Sequence, residues 1–341
     1  MKACVISKDN VSLQGVRLVE IPEPVAGPNE VLIEIKAVSL NFRDYLIVTD
    51  NYSTAALEED LILLSDAAGE VVAVGSEVDR FSVGDRVAGT FFQVWKDGPM
   101  RQLPPALGLP LQGVLAELVA LHQDGVVRIP DCLSYEEAAC LPCAAVTAWN
   151  ATHVSGTSIR PGNDVVCIGT GGVSMFAAQF ADAAGARVIM TSSSDEKLQR
   201  AYELLPGQNP ADGINYVTTP DWDEEVLRLT DGRGADQIME LGGAATLARS
   251  YRALAFNGRV KLIGFRPDAR GDCNPYLLMM KDGHIDGVGV GSTRMFEDMN
   301  RAISVNRLKP PIAEVYPMDE TVAALQRLAS ASFVGKLVIC L

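Results

Sequence analysis

The chain has 341 residues, 48% hydrophobic and 21% charged, with 43 acidic against 29 basic side chains and a formal net charge of −14. That length is too great for one small core and suggests two domains at about 150 residues each. The acidic balance, with no basic run to offset it, disfavours nucleic-acid phosphates and anionic lipid and leaves a small molecule as the default partner. No apolar run reaches the roughly 18 residues that would span a bilayer, so no membrane association is expected. Met1-Lys2-Ala3-Cys4-Val5-Ile6-Ser7 reads as a short strand without the apolar region of a signal peptide. Seven cysteines, mostly in apolar runs, suggest reduced thiols and a cytoplasmic protein. Cys4, Cys167 and Cys340 sit among strand-like residues, as small buried hydrophobes do.

Up to about residue 125 the signals are short strands punctuated by Gly, Pro and Asp. Val31 to Val38 and Gly69 to Gly75 are apolar-rich strands, and Gly84-Asp85 turns the chain into another. These pieces predict a mostly antiparallel β-domain. The rhythm changes after Pro130. Ser134 is placed to N-cap a helix with Glu136 and Glu137 in its first turn. Beyond Arg160-Pro161-Gly162, strands alternate with helices, the pattern of a parallel sheet with crossovers. Strands are expected at Asp164–Ile168, Arg187–Thr191, Gln237–Leu241 and Gly258–Gly264, and a helix from about Val173 to Ala184. Thr321 to Ala329 reads as an amphipathic helix and Gly335 to Ile339 as a last strand.

Gly169-Thr170-Gly171-Gly172-Val173-Ser174 follows a buried strand and opens a helix, the setting in which a glycine-rich string binds a dinucleotide. Gly169 permits the tight turn, Gly171 lets backbone approach the pyrophosphate, and the helix N-terminus offers N–H groups to the anion. Ser174 stands where a third glycine is usual. An NAD-preferring site places Asp or Glu about 20 residues after the loop begins. Here that strand end reads Thr191-Ser192-Ser193-Ser194, and Asp195 falls in the first turn of the next helix. Hydroxyls at Ser192 and Ser193, with Lys197 nearby, suit the 2′-phosphate of NADPH, which an acid would repel; NADH suits them less. Ser194 or Asp195 can also simply cap the helix.

Four ordered motifs carry a resemblance over nearly the whole chain. They are Ala37-Val38-Ser39-Leu40-Asn41-Phe42-Arg43-Asp44-Tyr45, Asp66 to Val72, Val83-Gly84-Asp85-Arg86-Val87, and Leu141-Pro142-Cys143-Ala144-Ala145-Val146-Thr147-Ala148-Trp149. The chain resembles the medium-chain dehydrogenase/reductase superfamily, in its zinc-independent, quinone-oxidoreductase-like or zinc-type alcohol dehydrogenase-like branch. The resemblance implies an α/β fold, a doubly wound Rossmann parallel sheet inserted in a GroES-like β-domain. Residues 1–130 and 292–341 would form the catalytic domain and 131–291 the dinucleotide-binding domain, with the active site in the cleft between them. It also implies a dimer or tetramer, with a homodimer expected and Ile285 to Val290 as a candidate pairing edge.

Zinc-containing relatives draw their catalytic ligands from positions that correspond here to Asn41, Ser65 and Cys143. A catalytic zinc needs three protein ligands, and one thiol does not supply them. The segment Gln93 to Gln112, where a structural-zinc lobe would lie, contains no cysteine, and His122, His153 and His284 show no ligand spacing. No metal is expected. A zinc-free site must stabilise oxyanion charge with protein donors, which favours quinones and activated C=C acceptors that spread that charge.

By the resemblance, Asn41 and Thr147 line the nicotinamide ribose, and Lys197 and Tyr216 contact the 2′-phosphate. Gly242 and Gly243 form a cofactor-contacting turn, and the backbone of Ile263-Gly264-Phe265 holds the carboxamide. Tyr52 stands where some enoyl reductases carry a proton-donating Tyr, and it also reads as an exposed loop residue. Arg43 and Asp44 either pair internally or contact substrate and cofactor. Phe91 to Met100 and Met279-Met280 read either as walls of an apolar acceptor pocket or as core packing. Three functions are compatible with this reading: a metal-free NADPH-dependent reductase of quinones or enones, a zinc-free alcohol dehydrogenase or ketoreductase, and an NADPH-binding protein without turnover.

Overall fold

The computed structural model describes residues 1–52, 57–205, 207, 211–264 and 270–341. Phe265 lies outside the described residues. The chain divides into two compact units. The first contains Met1–Val146, Gly291–Ser332 and Lys336–Leu341; the second contains Thr147–Val290 and Phe333–Gly335.

The first unit is built mainly from β-strands: β1 (Lys2–Ile6), β2 (Val16–Glu20), β3 (Glu30–Ser39), β4 (Leu61–Ile62), β5 (Asp66–Val74), β6 (Arg86–Gly89), β7 (Leu118–His122) and β8 (Val126–Arg128). Strands β2, β1 and β4 make a small antiparallel sheet. The larger sheet centres on β3, which pairs antiparallel with β5 and β7. Its residues Val31, Ile33, Ile35 and Ala37 alternate inward, as one buried face requires. Helix α1 (Phe42–Val48) follows β3 after only Leu40 and Asn41. Helix α2 (Tyr135–Ala139) begins at the expected Ser134, whose hydroxyl accepts from the Glu137 amide while Glu137 reaches back to the Ser134 amide. Such a cap contributes about 1 kcal/mol.

Residues 131–146 belong to the first unit, not to the nucleotide domain where they were expected. The reason is local: α2 packs on β3 and β5, and the Cys143 amide donates to Asp66 at the start of β5. The chain leaves this unit within α3 (Val146–Trp149), flanked by wide π turns at Leu141–Ala145 and Asn150–Val154.

The second unit carries six parallel strands, β9 (Asp164–Ile168), β10 (Arg187–Ser192), β11 (Ala211–Asn215), β12 (Ala235–Glu240), β13 (Leu254–Leu262) and β14 (His284–Gly287), in the order β11-β10-β9-β12-β13-β14. The order reverses at β9, where a doubly wound sheet opens its ligand crevice. Helices α4 (Gly172–Ala183), α5 (Asp195–Glu203), α6 (Trp222–Leu229), α7 (Leu247–Ala253) and α8 (Tyr276–Met280) accompany the strands. β9 is buried throughout, which gives the continuous apolar run that a central parallel strand shows in sequence. Val166, Ile189, Ile238 and Val260, one from each of four neighbouring strands, join Trp222, Val226 and Tyr251 in one core cluster.

The chain returns to the first unit through α9 (Thr293–Asn306), β15 (Ile312–Pro317), α10 (Thr321–Ser330) and β16 (Lys336–Cys340). β16 closes on β3 with Val338 opposite Ser39 and Cys340 opposite Ala37. That pairing places Lys336 beside the end of β3. No helix among the described residues is long and apolar enough to cross a membrane.

Candidate active site

In the second unit the glycine loop joins β9 to α4. Gly169 has φ +82°, a conformation that costs a side-chain-bearing residue roughly 1–2 kcal/mol. Gly171 has ordinary backbone angles as the N-cap of α4, yet a Cβ there would meet nothing within 4 Å. The open space suits the approach of a pyrophosphate. No side chain caps α4 and no acid stands in its first turn, so the positive end of the helix is unopposed. Ser174 replaces the third glycine at no polar cost, since its buried hydroxyl donates to the Ile168 carbonyl at 2.7 Å. The Thr170 carbonyl accepts from the Gly335 amide, which ties the loop to the segment before β16.

The tip of β10 has the hydroxyls expected of it. Thr191 and Ser192 are buried and Ser193 is exposed. Ser194 caps α5 by accepting from the Lys197 amide. Asp195 stands in the first turn of α5, and Asn215 donates to its carboxylate at 3.0 Å. Tyr216 lies beside this tip, its amide donating to the Ser192 carbonyl. Thr147 is buried at the start of the same unit.

The turn after β12 is held from within by a residue that sequence reasoning passed over. Buried Glu240 accepts from the Gly242 and Gly243 amides and from the hydroxyls of Thr246 and Ser250, and its carbonyl takes the amides of Ile263 and Gly264. Those four amides are committed inside the fold.

In the first unit, Asn41 ends the β3 segment and caps α1, with its amide donating to Asp44 Oδ2 at 2.8 Å. Its side chain is 9% exposed. Asn41 Oδ1 accepts from Lys336 Nζ at 2.6 Å, and the same ammonium donates to the Leu40 carbonyl at 2.5 Å. Asn41 Nδ2 faces Ser65 Oγ at 3.5 Å, Ser65 donates to Asp66 Oδ1 at 2.8 Å, and Asp66 Oδ2 takes the Cys143 amide at 2.9 Å. The three positions expected from the motifs, Asn41, Ser65 and Cys143, therefore converge. Lys336 and Asp66 complete the group, and neither was singled out from the sequence. A lysine inside the apolar run of β16 was the available signal, because a buried charge needs a partner.

Burial pushes the carboxyls of Asp44 and Asp66 up, Asp44 to about 6, against the opposing pull of Arg43 and Lys336. Asp44 keeps one buried oxygen without a hydrogen-bond partner. Arg43 does not close on Asp44. Its guanidinium lies 4.3 Å from the centre of the Phe91 ring and donates to the Leu107 carbonyl. Tyr52 is 43% exposed, with the Arg43 guanidinium 5.8 Å from its ring centre, and so stands at the surface next to the site's charged residue. Phe91 and Phe92 are buried and meet edge to face, as core residues, whereas Met279 and Met280 are exposed on α8.

As a zinc donor set the Asn41 group fits badly. Amide and hydroxyl groups are not the thiolate, imidazole or carboxylate ligands zinc takes, and an ammonium already occupies the Asn41 oxygen. Burial drives the Cys143 thiol up to about 12, away from the thiolate that binds metal. Among the described residues no group of three or more His, Cys, Asp or Glu could hold a metal ion. His153 instead stacks on Trp149, and burial lowers it to about 4.

Two family models match the chain: an alcohol dehydrogenase GroES-like domain over residues 27–131 and a zinc-binding dehydrogenase over residues 172–305. A zinc-type alcohol dehydrogenase-like protein of Schizosaccharomyces pombe is 39% identical over 329 residues, covering 94% of this chain and 93% of its own. The chain belongs to the medium-chain dehydrogenase/reductase superfamily. A crystal structure from Sinorhizobium meliloti 1021, assigned as an alcohol dehydrogenase, superposes with a TM-score of 0.90 at 37% identity, covering 100% of this chain and 98% of that one. A quinone oxidoreductase of Pseudomonas syringae pv. Tomato DC3000 superposes at 0.82 with 26% identity, covering 100% and 99%. Membership makes the protein a nicotinamide-dependent oxidoreductase of this superfamily.

Proposed function

We propose that this protein is a metal-free, NADPH-dependent reductase of quinones or activated alkenes. The observation that carries the reading is the hydrogen-bonded group Lys336–Asn41–Ser65–Asp66, in which Asn41 and Ser65 stand at positions that correspond to metal ligands of zinc-containing relatives. A site without a metal must meet developing negative charge with hydrogen-bond donors. Acceptors that delocalise the charge, such as quinones and enones, ask least of those donors.

The bound dinucleotide supplies the hydride. The Gly169–Ser174 loop and the N-terminus of α4 hold its pyrophosphate, Ser193, Lys197 and Tyr216 surround the 2′-phosphate, and Thr147 contributes to the nicotinamide end. Asp195 accepts from Asn215 in the first turn of α5. Asn41 donates to the acceptor oxygen as charge builds there. Tyr52 is the candidate proton donor, with the Arg43 guanidinium beside its ring. The test is NADPH oxidation by metal-stripped protein across quinones, enones and saturated ketones. Turnover with the first two that survives chelation supports the reading, and activity that requires added zinc overturns it.

The 37% identity to a protein assigned as an alcohol dehydrogenase favours one competing reading, a zinc-free ketoreductase. The saturated ketones in the same panel separate the two. We also propose a homodimer paired along β14, the outermost strand on its side of the sheet, whose neighbourhood exposes Phe256, Tyr276, Met279 and Ile285. Such an apolar edge is costly if left bare. A monomeric mass in solution would remove this part of the reading.

A further inference from the structure

The hydrogen bonds around Asn41 have a direction, and Lys336 sets it. An ammonium has three donors and no acceptor. Facing Lys336 at 2.6 Å, Asn41 can offer only its oxygen, which decides the orientation of an amide whose two ends otherwise differ little in shape. The Asn41 nitrogen is then turned to Ser65 Oγ. Ser65 can accept there because its own proton goes to Asp66 Oδ1. The other Asp66 oxygen is taken by the Cys143 amide, which can only donate. Donors thus point one way from a buried cation to a buried carboxyl. Lys336 is 4% exposed and Asp66 fully buried, so water is poorly placed to reverse the order.

We propose that Lys336 is a positioning residue that locks Asn41 as a hydrogen-bond donor toward the acceptor. With the amide reversed, its carbonyl would face the growing negative charge and repel it. Lys336 itself touches neither acceptor nor cofactor in this scheme. The proposal rests on the reading of Asn41 as the group that meets the acceptor oxygen, and it adds the residue that makes such a role possible. The remaining charges near Asn41 are Asp44 on α1 and Arg43 beside it, and neither bonds to the amide oxygen.

The test uses the full chain labelled with 15N at asparagine, with the Asn41 side-chain resonances assigned by their loss in Asn41→Asp. In the wild type, the two Asn41 amide protons are expected to be distinct and to exchange slowly with water. In Lys336→Met their exchange should quicken at least tenfold. The same variant should lower kcat for enone reduction at least tenfold while the NADPH dissociation constant stays within twofold, since the residues proposed to hold the pyrophosphate and the 2′-phosphate belong to the other unit. Lys336→Gln, a shorter neutral donor, serves if Met at this position prevents folding, and a smaller change in the same direction is expected. Asn41→Asp keeps a partner for Lys336 but has no N–H to offer, so it should fold and lose kcat.

Unchanged amide exchange in a folded Lys336 variant overturns the proposal, as does rapid exchange in the wild type. If the wild type reduces no acceptor, the reductase reading fails, and the exchange data still decide what Lys336 does to Asn41.

Discussion

Lys336 Nζ lies 2.6 Å from Asn41 Oδ1, a contact between residues 295 positions apart that sits where metal-dependent relatives would be expected to place a zinc ligand. It joins β16 to the end of β3, so the last strand of the chain helps to build the site as well as the sheet. The first prediction concerns this pair. Asn41→Ala leaves the buried ammonium short of one acceptor and should destabilise the protein by about 1.5–3 kcal/mol, the range for hydrogen bonds to charged groups. If Asn41 also stabilises an oxyanion, kcat should fall by about 100- to 1000-fold. Denaturant melts and steady-state rates on the same samples measure both, and an unaltered kcat would remove Asn41 from the chemistry.

Prolonged dialysis against a strong chelator should change neither the melting temperature nor the rate of NADPH oxidation. The donor set of amide, hydroxyl and high-pKa thiol gives zinc no reason to bind. Stoichiometric zinc recovered from purified protein, together with lost activity on its removal, would refute this.

Two glycines in one loop should respond in opposite ways. Gly169→Ala forces a side chain into φ +82° and should cost stability by roughly 1–2 kcal/mol with or without cofactor. Gly171→Val places its methyls in open space, so the apo protein should melt nearly as the wild type does. Dinucleotide affinity should nevertheless collapse, because the proposed binding mode brings the pyrophosphate through that space. Normal NADPH binding by the Gly171 variant would show that the phosphates lie elsewhere.

Lys197→Ala should weaken NADPH binding by about tenfold or more, the effect of losing one charge-assisted hydrogen bond. NADH, which lacks the 2′-phosphate, should be little affected. Equal losses for both cofactors would point to damage at α5 instead of recognition.

Asp44 supplies a prediction in pH. Burial raises its folded pKa to about 6 from an unfolded value near 3.8. The folded state therefore holds the proton more tightly than the unfolded state. Its favourable contribution is complete below about 3.8, declines as pH rises to about 6, and is gone above that. Asp44→Asn keeps an oxygen for the Asn41 amide and cannot ionise. The melting temperature of the variant should match that of the wild type near pH 4, then exceed it by a margin that grows to about pH 6 and stays level beyond. A margin independent of pH would mean that Asp44 is charged throughout.

Much of the nucleotide unit is legible in the sequence because its determinants are local. A buried run, a glycine turn, an amphipathic helix and a second run follow one another between Asp164 and Ser192, and the observed elements begin and end within a residue or two of the expected ones. The hydroxyl tip of β10 and the cap at Ser194 were legible for the same reason. Elements whose identity depends on what they pack against were harder to see. Short strands such as β4 and β8, of two and three residues, are too short for a run of their own, and residues 131–146 read as part of the following domain until Cys143 is found bonded to Asp66.

The sequence by itself determined the glycine loop between β9 and α4, the likeness to the medium-chain dehydrogenase/reductase superfamily, and the three motif positions Asn41, Ser65 and Cys143. Tertiary structure alone decided what fills that site. Hydrophobic periodicity says that β16 is buried and is silent about register, whereas the pairing of Val338 with Ser39 brings the Lys336 ammonium to the Asn41 amide. A charge so far along the chain has no local partner to announce it, and only the folded sheet shows which oxygen it must face.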